Sequence, residues 1–154
     1  MTRRTIFVVG LVGLMVGLMA PTASGKADTF TETVHGVTET FPDANPCTGD
    51  VGDVTVTYNG IFHITEDPNG GQHLTGTQTG TFVFEPDDPA AETVTGKFTV
   101  WFGGNITANS EGFWVTTVIK GTGSEGSRFV FNSNEQFHFS NGELHVEFSL
   151  GNCH

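Results

Sequence analysis

Between residues 54 and 102 the large apolar side chains recur at every second position, in the runs VTVTYNGIFHIT, HLTGTQTGTFVF and TVTGKFTVWF. A period of two is the pattern of a strand with one buried and one solvated face. The alternation predicts strands over 54–65, 72–84, 93–103, 113–121, 127–139 and 143–150. In the segment 29–41 the parity changes at Gly36: Phe30 and Val34 are even, Val37 and Phe41 odd, which predicts a bulge or bend there. Counted as two strands, this segment brings the total to about eight. Asp67-Pro68-Asn69-Gly70-Gly71 and Pro86-Asp87-Asp88-Pro89 read as turns, and Asn141-Gly142 as a type I′ hairpin turn. Residues 103–112 read as the longest hairpin loop.

Consecutive hairpins predict an all-β, antiparallel up-and-down meander. Gly60, Gly76, Gly80 and Gly96 share the inward parity with the aromatic rings, which favours tight bending and closure into a small barrel of about eight strands. A Greek-key β-sandwich is the alternative architecture.

The inward parity set is poor in chemistry. It holds Val, Ile, Leu and most of the Phe, including Phe148 and Leu150 on the last strand. Beyond the first segment its only ionisable side chains are Tyr58 and Glu135, and with Gln78 these are the polar groups expected to line a small ligand cavity. General acid–base catalysis ordinarily uses two groups with separated pKa values, and nucleophilic catalysis a nucleophile beside a base. Neither arrangement is expected inside, and no nucleotide-binding or zinc-hydrolase fingerprint occurs, so no catalytic residue and no cofactor is assigned.

The outward set offers two pairings. If Phe102 faces Phe113, then Trp101 lies opposite Trp114, and with Asn105 and Asn109 nearby the two indoles form a platform for a sugar or a protein partner. A stabilising cross-strand aromatic pair is the competing explanation. If Phe139 faces Leu144, His138 faces His145 and Gln136 faces Glu147, while His63 and His73 neighbour each other across their own hairpin. Neither histidine pair brings the third and fourth ligands that zinc requires, so no metal site is assigned.

The ends and the charge narrow the setting. Arg3 and Arg4 precede an apolar run over 6–20 and then small residues, the pattern of a secretory signal, so residues 1–27 are expected to be cleaved and 28–154 to form one domain. A formal net charge of −11 disfavours nucleic acid and anionic membranes as partners. The two cysteines, Cys47 and Cys153, are expected to pair as a disulfide in an exported chain.

YNGIFHIT, HLTGTQTGTFVFEPDDPA, TGKFTVWFGGN and GTGSEGSRFVF resemble segments of a group of small exported actinobacterial β-rich proteins. The resemblance spans nearly all of 28–154, implies export and a β-rich domain, and carries no catalytic residues. HLTGTQTGTF and KFTVWF are also similar in character to avidin-type barrels, and the architecture to allene oxide cyclase and dirigent barrels, which supports a barrel alone. The expected function is non-enzymatic binding of a small molecule, glycan or protein by a secreted barrel, at its mouth or at Trp101 and Trp114. A cofactor-free isomerase or cyclase, or a structural envelope protein, is the alternative.

Overall fold

The computed structural model describes residues 27–140 and 143–154. The signal-like segment and the Asn141-Gly142 turn fall outside the described residues. The described chain is all-β: β1 (Asp28–Ala44), β2 (Val51–Glu66), β3 (Gln72–Pro86), β4 (Val94–Ile106), β5 (Ser110–Gly123), β6 (Arg128–Ser140) and β7 (Glu143–Cys153). They form one antiparallel sheet in sequence order, which rules out the Greek-key alternative. The segment expected as two strands is one strand with a break. Its register against β2 shifts between Val34 and Val37, Gly36 takes φ 62°, and the Gly36 amide donates to Asn59 Oδ1 at 3.0 Å. A left-handed φ explains why glycine stands at this bulge.

Ladders join each strand only to its sequence neighbours, so β1 and β7 are the two edges and the sheet is not closed by hydrogen bonds. It is nevertheless strongly curled. Val54 of β2, Phe84 of β3, Ile119 of β5 and Phe129 of β6 belong to one buried cluster, and the rings of Phe82 and Phe129 lie 6.4 Å apart across the interior. Val34, Val37 and Phe41 of β1 pack against the same cluster. Cys47, just past β1, is bonded to Cys153 at the end of β7, with Cα atoms 5.6 Å apart, so the disulfide ties the two edges at one end. That end, which also carries the β1–β2 and β3–β4 connections, is the lower end of the sheet.

Three expectations of register change. The 103–112 stretch is not a long loop: β4 and β5 run on to a tight turn in which the Thr107 amide donates to the Ser110 carbonyl at 2.8 Å. Phe102 therefore faces Val115 rather than Phe113, Trp101 faces Thr116, and Trp114 faces Gly103. In β7 the register shifts after Val146, so Gln136 faces Phe148 rather than Glu147. Leu150 consequently pairs with Asn134, an outward position, and not with the inward row. Both edge strands thus carry a bulge, a device that discourages strand addition.

Candidate functional site

Backbone register arranges the inner face in rungs that cross the sheet. One rung runs Val34–Gly60–Gln78–Val100–Thr117–Ser133–Gly151. Its side chains are small or polar, apart from the two valines. The rung below runs Tyr58–Gly80–Phe98–Ile119–Phe131, and the rung above runs Phe62–Gly76–Phe102–Val115–Glu135. A polar layer is thus set between aromatic layers, and it separates the two apolar clusters of the interior.

The lower half is filled. Val54, Val56, Phe82, Phe84, Val94, Phe98, Ile119 and Phe129 are buried, and the space bounded by Val54, Phe82, Phe84, Val94, Ile119 and Phe129 is about 10 Å³, no more than one water occupies. The upper half is not. Its inward side chains Ile64, Leu74, Phe113, Phe137 and Phe139 are only half-buried. At the edges, Phe30, opposite Ile64, is 48% exposed and Leu144, opposite Phe139, is 51% exposed. The upper end of the inward face is thus a half-exposed apolar wall, and the Phe62–Phe102–Glu135 rung with the polar rung beneath it forms its floor.

On that floor three buried oxygens have no hydrogen-bond partner among the described residues: Thr117 Oγ1, Ser133 Oγ and Glu135 Oε2. Thr117 and Ser133 face each other across β5 and β6, and Glu135 lies two residues beyond Ser133 on the same side of β6. Glu135 is 5% exposed and Gln78 2% exposed. Burial raises the pKa of the Glu135 carboxyl above its ordinary value. An orphaned buried polar group costs about 1–3 kcal/mol, so three on adjacent rungs need a reason.

Of the polar residues expected inside, Gln78 and Glu135 lie on these two adjacent rungs. Tyr58 is buried one rung below, where its hydroxyl donates to Glu39 Oε1 at 3.2 Å; burial first, and then the Glu39 charge, raise its pKa. Ser133 was not singled out from the sequence, although its odd number on β6 gives it the parity of Glu135.

The outward candidates are placed differently. Trp101 and Trp114 are 40% and 41% exposed on the outer face, but as diagonal rather than direct neighbours. The Trp114 indole lies over Gly103, where a Cβ would come within 2.7 Å of it, so this ring covers a bare stretch of backbone. Asn105 is exposed near the upper turn, opposite Gly112. His138 faces His145 as expected, while His63 and His73 are diagonal neighbours, with His63 Nδ1 2.9 Å from Thr31 Oγ1. Among the described residues no group of three His, Cys, Asp or Glu is placed to hold a metal.

A concavity of about 420 Å³ lies at the lower end beside the disulfide, lined by Val94, Phe129, Glu92, Ser127, Arg128 and His154 among others. The Glu92 carboxylate there is already engaged, accepting from the Glu125 amide at 2.8 Å and from the Ser127 hydroxyl. Sequence reasoning missed this cleft because it exists only where the C-terminus meets the loop after β1.

Among the described residues no helix is long and apolar enough to cross a membrane. No protein-family model, no curated protein and no solved structure matches this chain.

Proposed function

We propose that this is an exported, non-enzymatic binding protein whose curled sheet acts as a barrel and takes a small apolar molecule, polar end first, through its upper mouth. The observation that carries the reading is the set of unpartnered oxygens of Thr117, Ser133 and Glu135 at the floor of a half-exposed apolar wall. Ligand sites are typically apolar cavities with a few convergent polar groups, which is this composition. The basic and apolar N-terminal pattern together with the disulfide supports export. The rival, a cofactor-free isomerase or cyclase, draws less support. The Tyr58 hydroxyl is taken by Glu39, which leaves Glu135 as the one unengaged ionisable group on the floor.

Nile red, a neutral apolar dye, tests the reading. The dye is expected to bind the protein saturably, at one site. A Leu74→Asp/Phe113→Asp variant that still melts cooperatively is expected to lose binding at least tenfold. A Trp101→Ala/Trp114→Ala variant is expected to keep it. Binding that ignores the mouth substitutions but disappears with the tryptophans would move the site to the outer face and defeat the proposal.

A further inference from the structure

Resting on that reading of the mouth, we infer that the polar end of the ligand is a cation, the ammonium head of an amphiphilic amine. The three unpartnered atoms at the floor are all oxygens able to accept hydrogen bonds. An alkylammonium group has three N–H donors and no acceptor, so it matches three such oxygens without leaving a mismatch of its own. A hydroxyl head brings one donor for the Glu135 carboxyl and accepts from the Thr117 or Ser133 hydroxyl, but it carries no charge to set against the carboxylate.

Charge points the same way. Lys97, Lys120 and Arg128, the basic residues of the described strands, are all exposed. Among the histidines, His63, His73 and His138 occupy outward register positions. Among the described residues the ionisable groups in the inward rows are Asp28, Glu32, Glu39 and Asp43 of β1, Tyr58 and Glu66 of β2, Glu111 of β5 and Glu135 of β6, all of which are neutral or negative. A carboxylate or phosphate head would meet Glu135 with no cation in the inward rows of the described residues to separate them. An ammonium head supplies the counter-charge that a buried carboxylate lacks. The Phe62 and Phe102 rings, 5.6 Å apart on the Glu135 rung, add faces on which a cation is favoured over a neutral group. The net charge of −11 draws cations toward the molecule as a whole.

Three probes with one apolar body separate the possibilities: octylamine, octanol and octanoate, titrated calorimetrically at neutral pH. Octylamine is expected to bind at least tenfold more tightly than octanol, with no measurable octanoate binding. Glu135→Gln, close to isosteric, is expected to remove most of the preference for the amine while octanol affinity stays level. Should Glu135→Gln fail to fold, Thr117→Val/Ser133→Ala removes two of the three acceptors and is expected to weaken octylamine alone. Equal binding of amine and alcohol, indifferent to these substitutions but lost in the Leu74→Asp/Phe113→Asp variant, overturns the ammonium head and leaves the apolar mouth standing. Absence of binding by all three probes overturns both.

Discussion

Asp43 shows how one carboxyl records its surroundings. It lies near the end of β1, opposite Gly52, where burial pushes its pKa up from 3.8 to about 6 against the lowering effect of the Ala44 amide that donates to Oδ1 at 2.7 Å. The folded state therefore holds a proton that the unfolded chain releases near pH 4. Between about pH 4 and about pH 6 the unfolded state binds fewer protons, so stability is greatest below that window and falls as pH rises through it. Glu135, also raised by burial, acts in the same sense. Asp43→Asn keeps an oxygen for the Ala44 amide and removes the titration. The variant is expected to melt at nearly the native temperature at pH 4 and above it at pH 7. Thermal melts of both proteins at the two pH values check this, and a native chain that is no less stable than the variant at pH 7 would contradict it.

Glycines within the strands separate two kinds of close approach at the level of the element. A Cβ on Gly80 of β3 would run into the Thr57 carbonyl oxygen and the Tyr58 Cα of β2, backbone that cannot move without breaking the ladder. A Cβ on Gly60 of β2 would meet the Phe62 ring at 2.9 Å and Gln78 Cγ at 3.3 Å, side-chain atoms whose shift leaves the ladder intact. Gly80→Ala is expected to cost about 1–3 kcal/mol, the usual range for overpacking, and Gly60→Ala clearly less. Urea denaturation of the two variants gives the comparison, and equal losses would show that backbone and side-chain contacts are not distinguished here. The same strands show where sequence pattern suffices and where it fails. Alternation located every strand, the break at Gly36, and the inward positions of Gln78 and Glu135, because a half-buried strand must alternate. It misplaced the tryptophans because Gly103, Gly104 and Gly112 look like loop residues. In the fold, Gly103 and Gly104 lie beneath the rings of Trp114 and Phe113, within continuous strands. It also carried the inward face of β7 through to Leu150, since the numbering alternates smoothly past a bulge that only pairing with β6 reveals. Parity names the polar floor, but whether the floor is open depends on how far the whole sheet curls.

That curl makes the disulfide the device on which the whole molecule turns. Seven strands in an up-and-down order leave β1 and β7 running in the same direction, so the last antiparallel step that closes an even-numbered meander does not exist here. The edges are held by packing of Val37 and Phe41 on the lower cluster and, covalently, by Cys47–Cys153. The bridge spans a sequence separation of 106. Chain-entropy reasoning assigns a loop of that order about 4–5 kcal/mol, a large share of the 5–15 kcal/mol typical of a domain. A Cys47→Ala/Cys153→Ala variant is accordingly expected to lose about 4–5 kcal/mol in urea denaturation. The loss should not be uniform. β7 pairs only with β6, so its amides are expected to exchange with deuterium soonest in the variant, while those of β3 and β4, flanked on both sides, keep their protection. Because Glu135 sits on β6, facing β7, loosening that strand also uncovers the polar floor, and Nile red affinity is expected to fall together with β7 protection. A stability loss below about 1 kcal/mol, with β7 still protected, would mean that apolar packing alone holds the edges together and that the disulfide is incidental to the mouth.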